Sequence, residues 1–562
     1  MRQAGIQVVA FAVAGILWGA AGLAADAVAT PDGSTPLEWA VFKGDVGQAQ
    51  KLVAAGADVK AVNAYGVNAL QLAADASNTD IIRLLLKAGA DPNSPNQDGE
   101  TALHLVARAG NVEAAKLLLK AGAEVDPRES FGGQTPLMWA TARRHPQMVE
   151  LLADRGADVN ARSAVRDYLR VATAESRAKQ LDRGGFTPLM YAARENCGEC
   201  VDVLLKHKAD INLPDPSGFA PMTIAMLNSN WDIAKRLIDA GADVNEWDIF
   251  GQAPLHVAIG NMNSRGNNNP LDRDRPNKAT GRDVVKLLLD RGADPNQQTY
   301  YRAAGLRGFG GTGRGTTPFL VACASGDIEI VKLLLAHGAN PKLATSDGQG
   351  PIIIAVGSRA GGTGNPGAAR ADIPREPGAA GPGTEIPPAT RRGRGGPGGA
   401  SGAAPAAAPA RPASGAGPAD KMVAGLNPAN PTVELIDLLA KSGADVNLMA
   451  KRHFLQRTRG GSALHYAVRT GNRDVIAGLI KLGIDVNAKD EDGLTALDYA
   501  MGRGFVPFLQ MPARPRRDIA DMLHAAGGNV ELAKTPEWLP ESPPIATVVY
   551  DSVIWPVDPV GP

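Results

Sequence analysis

Residues 101–127 read TALHLVARAGNVEAAKLLLKAGAEVDP, and this stretch decides the fold. Thr101 is suited to cap the start of a first helix that carries one apolar face. Gly110 supplies a left-handed stop, and a second helix rich in alanine and leucine follows. Gly122 ends that helix, and the polar residues after it favour a tight hairpin turn. One helix pair cannot bury its apolar face alone, so it must stack on a neighbour.

The same pattern recurs along most of the chain with a dominant spacing of 33 residues. Each unit opens with an anchor such as Thr35-Pro36-Leu37 and ends with a closer such as Gly56-Ala57-Asp58. Anchors and closers each occur eleven times, which predicts eleven stacked units. The third residues of the anchors are Leu37, Leu70, Leu103, Leu137, Leu189, Met222, Leu255, Phe319, Ile352, Leu464 and Leu497.

These residues resemble the ankyrin repeat family. The spacing, the closer and a Thr-Pro-Leu-His-x-Ala signature, nearly complete at 101–106 and 253–258, carry the resemblance. It covers roughly residues 31–530 apart from insertions. The resemblance implies an all-α repeat solenoid, a stack of about eleven helix–turn–helix/β-hairpin units that serves as a binding scaffold with varied partners.

The composition excludes several other classes of protein. The chain has 562 residues, too many for one ordinary core, and its 58 Lys and Arg balance its 58 Asp and Glu. A protein that coats nucleic acid by charge alone is therefore excluded. Three cysteines cannot form a disulfide framework or a four-cysteine zinc site. The sequence lacks a nucleophile elbow, a phosphate-binding loop and a metalloprotease motif, so we predict no enzyme activity, cofactor or metal.

The N-terminus has the pattern of a secretory signal peptide. Arg2 precedes an apolar run over 6–23, and small residues favour cleavage after Ala24 or Ala27. Left uncleaved, the run approaches the length of a membrane anchor, and an inner-membrane anchor is the alternative. No other stretch is apolar enough to span a membrane, and no glycosylation sequon occurs. We therefore expect a bacterial exported protein, periplasmic or extracellular.

The repeat register divides the chain into modules and insertions. The predicted segments are a signal peptide (1–24), units 1–4 (31–162), a finger insertion (163–181), units 5–7 (182–299, with an insertion at 260–279), a finger insertion (300–315), unit 8 and half of unit 9 (316–357), a Gly/Pro/Ala-rich insertion (358–430), the rest of unit 9 with units 10–11 (431–530) and a Pro-rich tail (531–562). The insertion 358–430 holds 16 Gly, 12 Pro and no aromatic residue, which predicts disorder and the weakest joint of the array. The tail is predicted either to cover the last unit or to dock as an exposed peptide.

Three insertions at the hairpin fingers, 163–181, 297–315 and 449–459, are each basic and each contain an aromatic residue. Arginine and tyrosine are frequent anchors of interface hot spots. We predict a basic lip that binds an acidic protein together with the concave helix surface, the alternative being a solvated fringe. The predicted partner-binding residues are Arg166, Tyr168, Arg170, Tyr300, Tyr301, Arg302, Arg307, Arg452, Phe454 and Arg457. The default oligomeric state is a monomer, and export argues against a nucleic-acid partner.

Two other functions stay open from the sequence. One is an envelope adaptor that binds a polyanionic polymer in a salt-sensitive way. The other is thiol redox chemistry at Cys197 and Cys200, which lie three residues apart at the start of a helix. The pair could form a local disulfide, or remain unpaired with Cys197 exposed and Cys200 in the core. The signature histidines His104, His256 and His465 are assigned a structural role.

Overall fold

The computed structural model describes residues 32–165, 184–263, 277–300, 315–358, 427, 430–453, 458–502, 505–506, 511–512 and 516–529. The chain divides into two compact blocks, Met1–Ala293 (the N-terminal block) and Asp294–Pro562 (the C-terminal block). The described parts hold eleven helix pairs, which we number repeats 1–7 and 8–11, so the predicted α-helical repeat fold is confirmed. The predicted signal peptide and C-terminal tail, and nearly all of the 358–430 insertion, lie outside the described residues.

The N-terminal block contains seven described helix pairs. The first helices are α1 (Pro36–Phe42), α3 (Ala69–Asp75), α5 (Ala102–Ala109), α7 (Pro136–Ala142), α9 (Pro188–Arg194), α11 (Pro221–Leu227) and α13 (Pro254–Asn261). The second helices are α2 (Val46–Ala54), α4 (Thr79–Lys87), α6 (Val112–Lys120), α8 (Pro146–Asp154), α10 (Gly198–Lys206), α12 (Trp231–Asp239) and α14 (Gly281–Asp290). Each helix packs on its counterpart in the next repeat, so the apolar faces form a continuous core.

The helices start and stop where the sequence predicts. Thr35 and Thr135 accept hydrogen bonds from the third backbone N–H of their helices, and a proline follows each as the first helical residue. Gly110 ends α5 with φ of 75°, a left-handed conformation that glycine adopts without strain. The leucines and isoleucines inside are fully buried, and each contributes about 1.5–3 kcal/mol to folding.

The closers join consecutive repeats through one side chain that the sequence analysis did not single out. Two residues after the closer aspartate stands an asparagine, and in repeat 2 this is Asn93. Its amide nitrogen donates to the Gly122 carbonyl at 2.9 Å, and its oxygen accepts from the Glu124 N–H at 2.7 Å. Asn245, Asn296 and Asn487 make the corresponding bond to the glycine carbonyl one repeat later. The fingers are thus linked by an asparagine ladder.

The C-terminal block contains four described helix pairs. The first helices are α15 (Pro318–Ser325), α17 (Pro351–Ser358), α19 (Ala463–Thr470) and α21 (Ala496–Ala500). The second helices are α16 (Ile328–Ala336), α18 (Pro431–Lys441), α20 (Arg473–Lys481) and α22 (Arg517–Ala525). Two short antiparallel hairpins are described, β1 (Ala450–His453) with β2 (Thr458–Gly461), and β3 (Phe505–Val506) with β4 (Met511–Pro512).

Repeat 9 is complete although its two helices are far apart in sequence. Helix α17 packs on α18, and it also packs on the first helices of repeats 8 and 10. Asp474 of repeat 10 holds the point where the chain returns, because its carboxylate accepts from the Asn427 N–H at 2.9 Å and from the Asn430 amide at 3.0 Å. Neighbouring repeats therefore position both halves of repeat 9.

The residues on either side of each finger insertion are paired by backbone hydrogen bonds. Val165 forms a bridge with Gly184, and the Thr299 N–H donates to the Thr316 carbonyl at 3.0 Å. At the third insertion the pairing lengthens into the β1–β2 hairpin, with Ala450 opposite Gly461. Each insertion is thus carried at the end of a hydrogen-bonded finger.

Candidate functional site

Arginine and aromatic side chains from repeats 3–5 form a strip on the first helices of the N-terminal block. We call Arg108, Trp139, Phe186, Tyr191 and Arg194 the arginine–aromatic strip. The Arg108 guanidinium lies 5.3 Å from the centre of the Trp139 ring. The Arg194 guanidinium lies 5.0 Å from the Tyr191 ring and 5.6 Å from the Phe186 ring. Both guanidinium groups thus lie over aromatic rings, an attraction worth about 0.5–1 kcal/mol where solvent reaches it.

The repeat register explains why these side chains meet. Trp139 and Tyr191 are each the fourth residue after a threonine cap, so they occupy the same place on α7 and α9. Arg108 and Arg194 are each the seventh residue after a cap. Gln134, which precedes the cap of α7, fixes the Tyr191 ring, because its amide donates to the Tyr191 hydroxyl at 2.7 Å.

The strip leaves both guanidinium groups accessible. The side chains of Arg108 and Arg194 are 32% and 36% exposed, and each makes a surface ion pair, with Asp75 and Glu195 respectively. Surface pairs of this kind contribute only about 0–1 kcal/mol, so a carboxylate from a partner can replace the intramolecular one at little cost. Contact with the rings restricts the movement of the guanidinium groups, which reduces the entropy lost on binding.

Large apolar side chains are exposed on the regular fingers, which the sequence analysis missed. Tyr65 is 61% exposed, Phe131 75%, and Trp247 and Ile249 both 51%. Tyr65 and Phe131 occupy the second position after the residue that caps the finger turn, where other fingers carry a polar residue such as Asp98. An aromatic residue at this exposed turn position was the signal in the sequence. Exposed aromatic residues on rigid turns are typical of interaction surfaces.

Most residues of the predicted basic lip lie outside the described structure. Tyr300 has a described side chain, which is 54% exposed in the C-terminal block, and the backbone of Arg452 lies in β1. The remaining predicted residues fall on positions that are not described, namely Arg166, Tyr168, Arg170, Tyr301, Arg302, Arg307, Phe454 and Arg457. The basic lip therefore stays a prediction.

The signature histidines have structural roles where the structure describes them. The Nδ1 atom of His104 accepts from the Thr101 N–H at 3.2 Å, so the proton is on Nε2, which donates to the Gln134 carbonyl at 3.1 Å. Burial lowers the pKa of His104 and keeps the ring neutral at physiological pH. His465 forms the same pair of bonds in repeat 10 with Ser462 and Leu494. These rings join one repeat to the next finger and are not free for catalysis.

The two cysteines of repeat 5 are joined in a disulfide at the start of α10, with their Cα atoms 5.2 Å apart. The Cys197 Sγ also accepts from the Cys200 N–H at 3.3 Å, which is the bond that an asparagine cap makes in other repeats. Cys197 is 6% exposed, so the expectation of an exposed position for it was wrong. Its side chain turns back over the first turn of the helix to serve as the cap.

Thiol titration tests this disulfide. The chain has three cysteines, and the third, Cys323, is a buried free thiol whose pKa burial raises. In denaturant without reductant we expect one reactive thiol per chain, because only Cys323 is free. In the folded chain we expect that thiol to react slowly, since burial disfavours the thiolate. Three reactive thiols before reduction would contradict the disulfide.

Within the ranges that the structure describes, no three His, Cys, Asp or Glu residues are grouped so that they could hold a metal ion. Among those same residues, no helix combines the length and the apolar character needed to cross a bilayer.

Comparison with known families assigns the chain. The family of ankyrin repeats in three copies matches residues 13–96, 70–163, 277–363 and 422–515, which is more than half of the chain. The chain belongs to the ankyrin repeat family. Ankyrin repeats in many copies also match residues 176–225, and a single ankyrin repeat matches 250–300. Ankyrin repeats serve in general as scaffolds for protein–protein interactions.

Individual relatives are distant. A putative ankyrin repeat protein of fowlpox virus, FPV223, is 36% identical over 64 residues, which is 11% of this chain and 45% of the viral protein. The chain thus matches less than half the length of that relative. Among solved structures, the ankyrin repeat domain of Bcl-3, a member of the IkappaB family, is 26% identical. The match covers 46% of this chain and 99% of that domain, with a TM-score of 0.35.

Proposed function

We propose that this ankyrin repeat protein is a non-catalytic scaffold of the bacterial envelope that binds an acidic protein partner. The observation that carries the proposal is the arginine–aromatic strip, in which two partly exposed arginine side chains lie over rings of repeats 4 and 5. Aromatic and arginine side chains are the commonest interface hot spots. Phe131, exposed in the finger between repeats 3 and 4, adds apolar contact area to the same repeats.

The chemistry of the strip favours carboxylates as its ligands. A guanidinium plane presents paired N–H donors that match a carboxylate, and its stacked position is already fixed before binding. The basic finger insertions, where the sequence places Arg166 and Arg170, would extend this positive surface. A partner segment that combines acidic and apolar residues therefore fits best.

The N-terminal sequence pattern and the disulfide support placing this function outside the cytoplasm. Arg2 and the apolar run over 6–23 have the pattern of a signal peptide. A disulfide between Cys197 and Cys200 suits an oxidising compartment such as the periplasm.

Charge reversal on the strip tests the proposed function. Full-length protein with Arg108→Glu and Arg194→Glu should fail to retain a partner that the wild type captures from envelope extract. With the purified partner, the affinity should fall at least about tenfold, because two hot-spot contacts become repulsive. Affinity should be measured by calorimetry, and circular dichroism should show an unchanged helix content.

A matched control reverses two basic residues on second helices. Arg83 and Lys116 are exposed and form surface pairs within their own helices, as the strip arginines form surface pairs within the block. The Arg83→Glu, Lys116→Glu variant should bind the partner as the wild type does. An equal loss of affinity for the partner in both variants would show only non-specific charge attraction and would overturn the proposal. Full affinity of the strip variant for the partner would overturn it as well.

A further inference from the structure

Four acidic side chains of the N-terminal block have a buried carboxyl oxygen with no hydrogen-bond partner. These oxygens are Glu38 Oε1, Asp126 Oδ1, Glu246 Oε2 and Asp248 Oδ2. Three of the four, those of Glu38, Asp126 and Asp248, can be compared with an equivalent position in another repeat. A buried carboxylate oxygen without a donor is costly, since the group loses water and gains nothing in return. In each of the three places, another repeat supplies a hydrogen at the equivalent position. The repeat register therefore shows what each site lacks.

Glu38 occupies the third position of α1, where His104 stands in α5. Its Oε2 accepts from the Thr35 N–H at 2.6 Å, as the His104 Nδ1 accepts from its own cap. The other His104 nitrogen donates to the Gln134 carbonyl of the next finger. An ionised Glu38 has no hydrogen for the corresponding carbonyl. Burial raises the pKa of Glu38, and the nearby charge of Asp32 adds to the effect.

Asp126 stands where the asparagine ladder places an amide. Its Oδ2 accepts from the Asp158 N–H at 2.9 Å, which matches the bond from the Glu124 N–H to Asn93. The Asn93 amide also donates to the Gly122 carbonyl, in the closer of the next repeat. An ionised Asp126 has no hydrogen with which to make the equivalent bond to the closer of its own next repeat. Burial raises the pKa of Asp126, so protonation restores the missing donor more readily than at an exposed carboxyl.

Asp248 caps the finger turn between repeats 6 and 7. Its Oδ1 accepts two backbone N–H bonds at 2.8 and 2.9 Å, as Asp490 does in repeat 10. The second oxygen of Asp490 accepts from the Tyr499 hydroxyl at 2.7 Å. In repeat 7 the position that corresponds to Tyr499 is occupied by Val257, whose side chain has no hydrogen-bond donor. Burial raises the pKa of Asp248 to about 6, and the charge of Asp215 acts in the same direction.

We infer that mild acidification tightens the N-terminal block, because protonation gives Glu38 and Asp126 the hydrogens that the ankyrin register requires and removes the unpaired buried charge of Asp248. The inference does not rest on the proposed partner. Asp126 and Asp248 lie in the fingers that carry Phe131 and Trp247, so the same protonation orders the exposed apolar tips.

Most of the charged groups around the three carboxyls raise their pKa values. Asp32, Asp158 and Asp215 repel the ionised forms of Glu38, Asp126 and Asp248 respectively, and Arg128 alone favours the ionised form of Asp126. A carboxyl whose pKa is raised on folding costs stability when ionised, and this cost disappears as pH falls through the folded pKa. His104 acts in the opposite direction, since its lowered pKa disfavours protonation in the fold.

Urea unfolding of the full chain between pH 7.5 and pH 5 tests the inference. As the pH falls from 7.5 to 5, protonation of Asp248 alone should lower the equilibrium constant for unfolding about tenfold. An exposed carboxyl would give no such change, and each pKa unit corresponds to a factor of ten. The triple variant Glu38→Gln, Asp126→Asn, Asp248→Asn keeps His104 and should lack this gain. It should also be more stable than the wild type at pH 7.5.

Two further variants make the result specific. Asn93→Asp places a carboxyl in the ladder of repeat 2 and should add pH dependence of the same sign, with lower stability at pH 7.5. Asp98→Asn removes an exposed charge from the same finger and should leave the pH profile parallel to that of the wild type. Identical profiles for the wild type and the triple variant, or a triple variant less stable at pH 7.5, would overturn the inference.

Discussion

Replacing His104 by alanine should lower the free energy of unfolding of the N-terminal block by about 4 kcal/mol. The ring is fully buried, and its two nitrogens bond the Thr101 N–H and the Gln134 carbonyl. Alanine leaves both backbone groups without a partner and opens a cavity between repeats 3 and 4. Urea unfolding followed by circular dichroism measures the loss.

His104→Gln is the informative control. Repeat 2 already carries Gln71 at this position, where its oxygen accepts from the Asn68 N–H at 3.0 Å and its nitrogen donates to the Glu100 carbonyl at 3.0 Å. Glutamine at position 104 should therefore recover most of the stability. It should also remove the destabilising contribution of His104 that grows below about pH 6.5, where the ring protonates in the unfolded chain while burial disfavours its protonation in the fold. An equal loss for alanine and glutamine would mean that packing, not hydrogen bonding, is the role of the ring.

The second large effect is expected from Gly218→Ala, at about 3 kcal/mol. Gly218 has φ of 84°, and an added Cβ would lie 2.7 Å from the Cα of Asp248 in the neighbouring finger. That atom is backbone, so the two fingers must separate and the hydrogen bond from the Ile249 N–H to the Ser217 carbonyl is strained. The rate of amide hydrogen exchange at Ile249 should rise, and urea unfolding should show the fall in the free energy of unfolding.

Gly241→Ala separates this steric effect from backbone strain. Gly241 has φ of 96°, and no atom lies within 4 Å of an added Cβ. The free energy of unfolding of this variant should fall only by the cost of a left-handed alanine, about 1 kcal/mol. If Gly218→Ala cost no more than Gly241→Ala, the close approach of the fingers would not be important for stability.

The repeat fold could be predicted almost completely from the sequence, because each helix pair is specified by local signals. Caps such as Thr135, stops such as Gly110 and apolar residues at a helical spacing are visible without knowledge of distant contacts. The spacing of 33 residues then places each pair beside the next. Repeat 9, interrupted by a long insertion, carries the same local signals, because Asn430 caps α18 and Pro431 is its first residue.

The candidate site was less predictable because it depends on which residues share a register in different repeats. Arg108 and Trp139 belong to different repeats, and their stacking appears only when the two first helices are laid side by side. Arginine and tyrosine are conspicuous in the insertions, whereas an ordinary finger carries the single exposed aromatic residue Phe131. Position-by-position comparison of the repeats would have found it, as it would have found the unusual acid at position 126.

The interruption of repeat 9 has a consequence for the order of events during synthesis. Helix α17 leaves the ribosome about 70 residues before α18, which at 5–20 residues per second is a delay of roughly 4–14 s. During this time the apolar residues Ile352, Ile353 and Val356 have repeat 8 but not the rest of their own repeat to pack on. Repeats 1–7 have shorter interruptions and can assemble in step with translation. The nascent C-terminal block is therefore the part of this protein with the greatest need of a chaperone.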